Sequence, residues 1–79
     1  MDQLAIVVAA LRELEQDTQV PKNVKNKIIT TIQTLEQNTD VSIKVSRALQ
    51  HLEELTEDNN MHSYTRTQIF NIVSLLEVI

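Results

Sequence analysis

Seventy-nine residues with 11 acidic and 7 basic side chains carry a formal charge of −4, which argues against a general nucleic-acid binder, and the length allows one thin-cored domain spanning residues 1–79. There is no cysteine to form a disulfide or a thiolate-zinc staple, and no glycine of the kind that sheet folds use in hairpin turns and bulges. No apolar run approaches the about 18 residues needed to span a bilayer, and Met1-Asp2-Gln3 places no base ahead of Leu4, so the expectation is a soluble cytoplasmic chain without a secretory signal.

Helix one is predicted from about Asp2 to Gln16, with Asp2 at the positive helix start. Its apolar stripe is Val7-Val8-Leu11-Leu14; positions i, i+1, i+4 and i+7 share one side of a 3.6-residue helix. Asp17-Thr18-Gln19-Val20 makes a first joint, and Pro21 suits the opening turn of helix two, where its missing N–H costs nothing. That helix runs to about Gln37 on the stripe Ile28-Ile29-Ile32-Leu35.

The capping cluster Asn38-Thr39-Asp40 predicts helix three from Val41 or Ser42 to about Glu57, with the stripe Ala48-Leu49-Leu52-Leu55. Asp58-Asn59-Asn60 repeats the signal ahead of helix four, His62 to Val78, whose stripe is Ile72-Val73-Leu76-Ile79. Stripes at this spacing leave room for about four helical turns and a short joint, so neighbouring helices should run antiparallel. The predicted class is all-α: an antiparallel four-helix bundle built of two helical hairpins. Because Asp40 to Leu49 also looks like the second helix of a HEAT-type repeat, a stacked pair of HEAT-like hairpins is the alternative.

Charge sits at the wrong helix poles. Glu13, Glu15 and Asp17 close helix one while Lys22, Lys25 and Lys27 open helix two; Glu53, Glu54, Glu57 and Asp58 precede the last joint and Arg66 follows it. Residues before and after an antiparallel turn lie side by side, which predicts acid-base pairing across the joints. Such pairs choose a topology more than they stabilise it.

Three groups of residues are candidates for function. Segment 22–47 holds five bases against Glu36 and Asp40, and Lys22, Lys25, Lys44 and Arg47 are its candidate anion or RNA contacts. Helices two and three start at opposite ends of their hairpin, however, and no aromatic interleaves the bases, so nucleic acid is an unfavoured partner. His51 and Glu54 have the i, i+3 spacing of a metal-binding bundle, but the pair occurs once where such sites need two, so no metal or cofactor is expected. His62, Tyr64 and Arg66 could meet an anion at a helix start, a setting such residues more often simply decorate.

Helix four is crowded with apolar residues: Phe70 and Leu75 lie off its stripe, and helix one has a similar surplus in Ala5, Ile6, Ala9 and Ala10. One core cannot cover both sides. The candidate interaction face is therefore Ile6, Ala9, Phe70, Leu75 and Ile79, used most simply by a homodimer. The alternative is a central helix four wrapped by the others.

Several segments closely resemble a family of small archaeal helical proteins of uncharacterised function. They are Val20-Pro21-Lys22-Asn23-Val24, Val45-Ser46-Arg47-Ala48, Asp58-Asn59-Asn60-Met61, Thr65-Arg66-Thr67, Ile69-Phe70-Asn71-Ile72 and Leu75-Leu76-Glu77. The likeness covers about residues 18–79; prolines are frequent in the family where Asn59 and His62 stand, and tryptophan where Phe70 stands. It implies an archaeal cytosolic helical domain and brings no catalytic assignment. Arg66, between Thr65 and Thr67, is its polar signature; the hydroxyls suit a helix cap and the arginine suits the acids of helix three, so the expected role is locking the last hairpin.

The expected function is a self-associating structural or protein-interaction module, not an enzyme. An RNA-associated factor using segment 22–47 is the alternative. No titratable pair has the setting that tunes a general acid or base, and no loop-walled pocket can be drawn.

Overall fold

The computed structural model describes residues 2–58 and 61–79. Four helices follow one another: α1 Gln3–Glu15, α2 Lys22–Glu36, α3 Val41–Thr56 and α4 Ser63–Glu77. Each begins or ends within about a residue of the bounds expected from the stripes, the differences falling at the caps. Pro21 is the residue before α2, with φ −60° and ψ 152°, and its carbonyl accepts the Lys25 N–H at 2.9 Å. Asp2 and Asp40 are N-caps whose carboxylates accept the N–H of Leu4 at 3.0 Å and of Ser42 at 2.9 Å. No described residue has positive φ, so the described joints need no glycine.

The helices close a ring. Each packs on its chain neighbours and α1 also packs on α4, while the backbones of the diagonals α1/α3 and α2/α4 stay apart. In a stack of two HEAT-like hairpins α1 would lie on α3, so the contacts are those of the bundle. The helices of the ring alternate in direction. The start of α1 lies beside Leu35 and Glu36, the end of α1 beside Tyr64 and Gln68, and the start of α3 beside Leu76 and Glu77.

The core is almost wholly aliphatic. Val7, Leu11, Ile28, Ala48, Leu52 and Ile69 are fully buried, with Leu14, Ile32, Leu35, Leu55, Ile72 and Leu76 nearly so. The second residue of each adjacent apolar pair is turned toward the rim: Val8, Leu49 and Val73 are half-buried and Ile29 is 37% exposed. Ile79, the last member of the fourth stripe, is exposed too. The stripes gain instead from residues N-terminal to them, Val24, Val45 and Ile69.

Two buried threonines complete α2. Thr31 is fully buried and Thr34 nearly so, with hydroxyls donating to the Lys27 and Thr30 carbonyls at 2.8 and 2.9 Å. Satisfied within their own helix, they pack as small branched residues. The two ends of the bundle differ. Val20 of the first joint and Met61 of the third are buried against the core at one end, whereas no residue of Gln37–Asp40 is buried at the other.

Pairing across the joints takes another course than the sequence suggested. Lys27 binds Glu54 of α3 at 3.0 Å, and Arg12 binds Glu36; no ion pair among the described residues joins Glu13, Glu15 or Asp17 to the lysines of α2. Asp17 turns its carboxylate to the Gln19 N–H at 2.9 Å and shapes the first joint. Asn59 and Asn60, expected as turn formers, lie outside the described residues.

Two outcomes follow from this packing. Leu52→Ala should cost about 2–5 kcal/mol in urea unfolding, against less than about 0.5 kcal/mol for Ile29→Gln. The Asp40 carboxyl is held below its ordinary 3.8, first by the Ser42 hydroxyl and then by the Ser42 N–H. A group whose folded value is depressed contributes fully above its unfolded value and loses its contribution as pH falls through the folded one. Thermal melts should therefore show Asp40→Asn keeping the cap at pH 7 while flattening the decline below about pH 4, and Asp40→Ala lowering Tm already at pH 7.

Candidate functional site

Helix geometry spreads the residues singled out from the sequence over several surfaces. In α4, Ile69, Ile72 and Leu76 point to the core. Phe70 and Leu75, five positions apart, stand about 140° apart around the helix and flank opposite seams. By helix register Leu75 is in line with Gln68, and Ile6 with Glu13, both of the α1/α4 seam; Ala9 lines the groove between α1 and α2, and Ile79 lies at the open end beside α3. All five are exposed, Phe70 to 51%. They do not form one patch.

The basic residues are likewise divided. Lys22 and Lys25 stand at the start of α2, at the plugged end; Lys44 and Arg47 stand in the first two turns of α3, about 8–17 Å away along the bundle. Lys44 donates to the Gln37 carbonyl at 3.3 Å. Lys27, beside Glu54, lowers that carboxyl below its ordinary 4.5 by its hydrogen bond and its charge. His51 is half-buried with Nδ1 unpaired among the described residues, and no three His, Asp or Glu side chains there converge on a possible metal position.

Arg66 works through the backbone. Its guanidinium donates to the Asp58 carbonyl at the end of α3, 2.5 Å away, while Asp58 Oδ2 accepts the Asn23 side-chain amide at 3.1 Å. Three elements thus meet at Asp58. Neither neighbouring threonine caps the helix: His62 is the N-cap and makes no side-chain cap bond, Thr65 is buried, and Thr67 donates to the Ser63 carbonyl at 3.0 Å. His62, Tyr64 and Arg66 do not converge, since Tyr64 lies in the α1/α4 seam with Glu13 and Asp17 while Arg66 turns toward α3.

Two surfaces stand out. The outer face of α4 carries Thr67, Phe70, Asn71, Ser74 and Val78, all exposed and uncharged. Arg66 and Glu77 are the charged residues of α4; one is turned to Asp58 and the other lines a groove beside α3. The Thr67 and Ser74 hydroxyls donate to the Ser63 and Phe70 carbonyls of their own helix, which leaves the Asn71 amide as the exposed polar group beside them. The second surface is that groove, about 610 Å³ at the unplugged end, walled by Val41, Val45, Leu49, Leu76 and Ile79 with Ser42 and Ser46 beside them. The sequence reading missed it. Its available signal was Val41 and Ile43, two apolar residues at the start of α3 that precede the stripe and are left 47% and 46% exposed.

The whole chain, residues 1–79, matches the model of the uncharacterised protein family UPF0147. A UPF0147 protein of Sulfurisphaera tokodaii is 32% identical over 73 residues, covering 91% of this chain and 82% of that protein. One from Thermococcus kodakarensis is 36% identical over 73 residues, covering 90% and 88%. Among solved structures, the unknown-function protein MMP1188 superposes with a TM-score of 0.93 at 35% identity, over 99% of this chain and 90% of that one. A UPF0147 protein from Thermoplasma acidophilum gives 0.92 at 32% identity, over 96% and 91%.

Loss of the Arg66 donor strands a carbonyl at the joint. Arg66→Ala should lower stability by about 1–3 kcal/mol in chemical denaturation, with Arg66→Lys recovering part of it. An unchanged midpoint for Arg66→Ala would remove the joint-locking role.

Proposed function

We propose, for a chain that belongs to the uncharacterised protein family UPF0147, that it is a small structural module acting through self-association, two copies meeting along the outer face of α4. The observation that carries this reading is an exposed helix face bare of charge on a protein of net charge −4. Copies of an acidic protein repel one another, and the uncharged face is where two can approach. Charge depletion with an exposed aromatic is also the composition of an interface core.

The seam spacing supports a helix pair. Thr67, Asn71, Ser74 and Val78 recur at intervals of four, three and four residues, as in the contact stripe of a coiled coil. Small Ser74 permits close approach, and Phe70 beside it supplies apolar area across a two-fold axis. Ile6 and Leu75 would lie at the margin, so the reading keeps α4 from the expected interface and moves Ala9 and Ile79 out of it.

Size selects the long face. The Cα extents of 33 × 21 × 19 Å give a side of about 700 Å² and an end of about 400 Å², against the roughly 800 Å² per partner of a standard interface. An end-to-end dimer falls well short. Side-chain relief adds area to the long face, and a thin core gains most from such burial. No described helix is long and apolar enough to cross a membrane. A cytoplasmic setting is kept as part of the proposal, on a sequence without cysteine.

Light scattering on the eluting protein should report about twice the 9.0 kDa chain mass. Ser74→Arg sets two like charges near the axis and should convert dimer to monomer, whereas Ile29→Arg on α2 should leave the dimer intact. A wild-type monomer at all concentrations up to about 1 mM, a Kd weaker than a specific dimer needs, would overturn the proposal.

A further inference from the structure

We infer that the groove between the start of α3 and the end of α4 docks a short amphipathic helix of a partner protein, apolar on one side and lysine- or arginine-rich at its edges. This goes beyond the α4 seam and does not depend on it. The groove holds about 610 Å³, more than the α1/α2 and α1/α4 grooves at about 420 and 250 Å³, and within the range of pockets that hold a few large side chains. Its floor is the buried Val45 and Leu76 of the core, and its walls are the half-buried Leu49 and the exposed Val41 and Ile79, over which no residue of Gln37–Asp40 is folded. At the other end Val20 and Met61 are folded over the core.

Charge identifies the occupant. The charged side chains lining the groove are Asp40 and Glu77, both acidic. Ser42 donates to the Asp40 carboxylate through its hydroxyl and its N–H and keeps it ionised. Lys44, the nearest base in sequence, turns to the Gln37 carbonyl, and neither it nor Arg47 lines the groove. An apolar floor with an acidic rim repels an anionic lipid surface and also a second copy of this acidic chain. It complements a helix with i, i+3, i+4, i+7 apolar anchors and basic flanks. Ser42 and Ser46, small and on the α4 side of α3, leave the helix room to lie between the two walls.

The test titrates the intact protein with a fluorescent peptide of about 12 residues, leucine at i, i+3, i+4 and i+7 and lysine elsewhere. Saturable binding is expected, about three- to tenfold weaker for Glu77→Lys and modestly weaker for Asp40→Asn, which keeps the helix cap. Ser46→Trp, which fills the groove, should abolish it while circular dichroism stays native. Three results would overturn the inference: equal binding of a scrambled peptide without an apolar stripe, equal binding when glutamate replaces lysine, or no saturation by about 1 mM. A dimer mass that falls on Ser46→Trp would assign the groove to a second copy and overturn it as well. Ser74→Arg, by contrast, should change the mass and leave peptide binding intact, so the two readings fail separately.

Discussion

Everything in this molecule follows from closing four short helices into a ring around one aliphatic column. In a square arrangement each helix lies against two neighbours, with its diagonal partner across the core, so only a narrow stripe of its surface is removed from water. Three buried residues in α1, four each in α3 and α4 and six in α2 use that stripe up. The adjacent apolar partner of each pair is then pushed to the rim, which is why Val8, Leu49 and Val73 are half-buried and Ile29 is exposed. With no aromatic residue in the core, packing depends on branched aliphatics and on two threonines that satisfy their own hydroxyls.

Periodicity made the helices and most of the core legible in the sequence, because burial of one stripe per helix is a local pattern. What escaped it was set by the ring. Thr31 and Thr34 read as polar, yet a hydroxyl donating to the carbonyl four residues back lets them face α3. Val20 and Met61 read as joint residues, yet both joints fold over the same end and bury them. Acid-base pairing was assigned to consecutive helices by nearness to the turn. The pairs do join consecutive helices, but side-chain reach chose other residues: Lys27 lies on the α3 side of α2 and meets Glu54, while Arg12 and Glu36 lean toward each other along the α1/α2 groove.

The surfaces were less legible than the core. The surplus of apolar residues in helix four was visible, but a count of residues carries no direction: Phe70 and Leu75 belong to opposite flanks of the same helix. The groove at the end of the bundle depends on which joints fold inward, a property of three loops together that no single segment encodes. Arg66 stands out in the sequence by its setting between Thr65 and Thr67. Its observed partner is the Asp58 main-chain carbonyl, which no residue-type pattern specifies.

Charge placement ties the surfaces to the fold. An acidic protein of this size has to keep most of its surface repulsive toward itself, and the charged residues of α1, α2 and α3 are spread over their exposed faces. Helix α4 departs from that rule because its two charges are drawn off the outer face, Arg66 by the third joint and Glu77 by the rim of the groove. The same arrangement therefore leaves one uncharged face and one acidic-rimmed apolar groove side by side on a single helix. The face proposed for an identical copy and the groove proposed for a basic helix use different residues of α4, so one substitution on either flank can change one surface without touching the other.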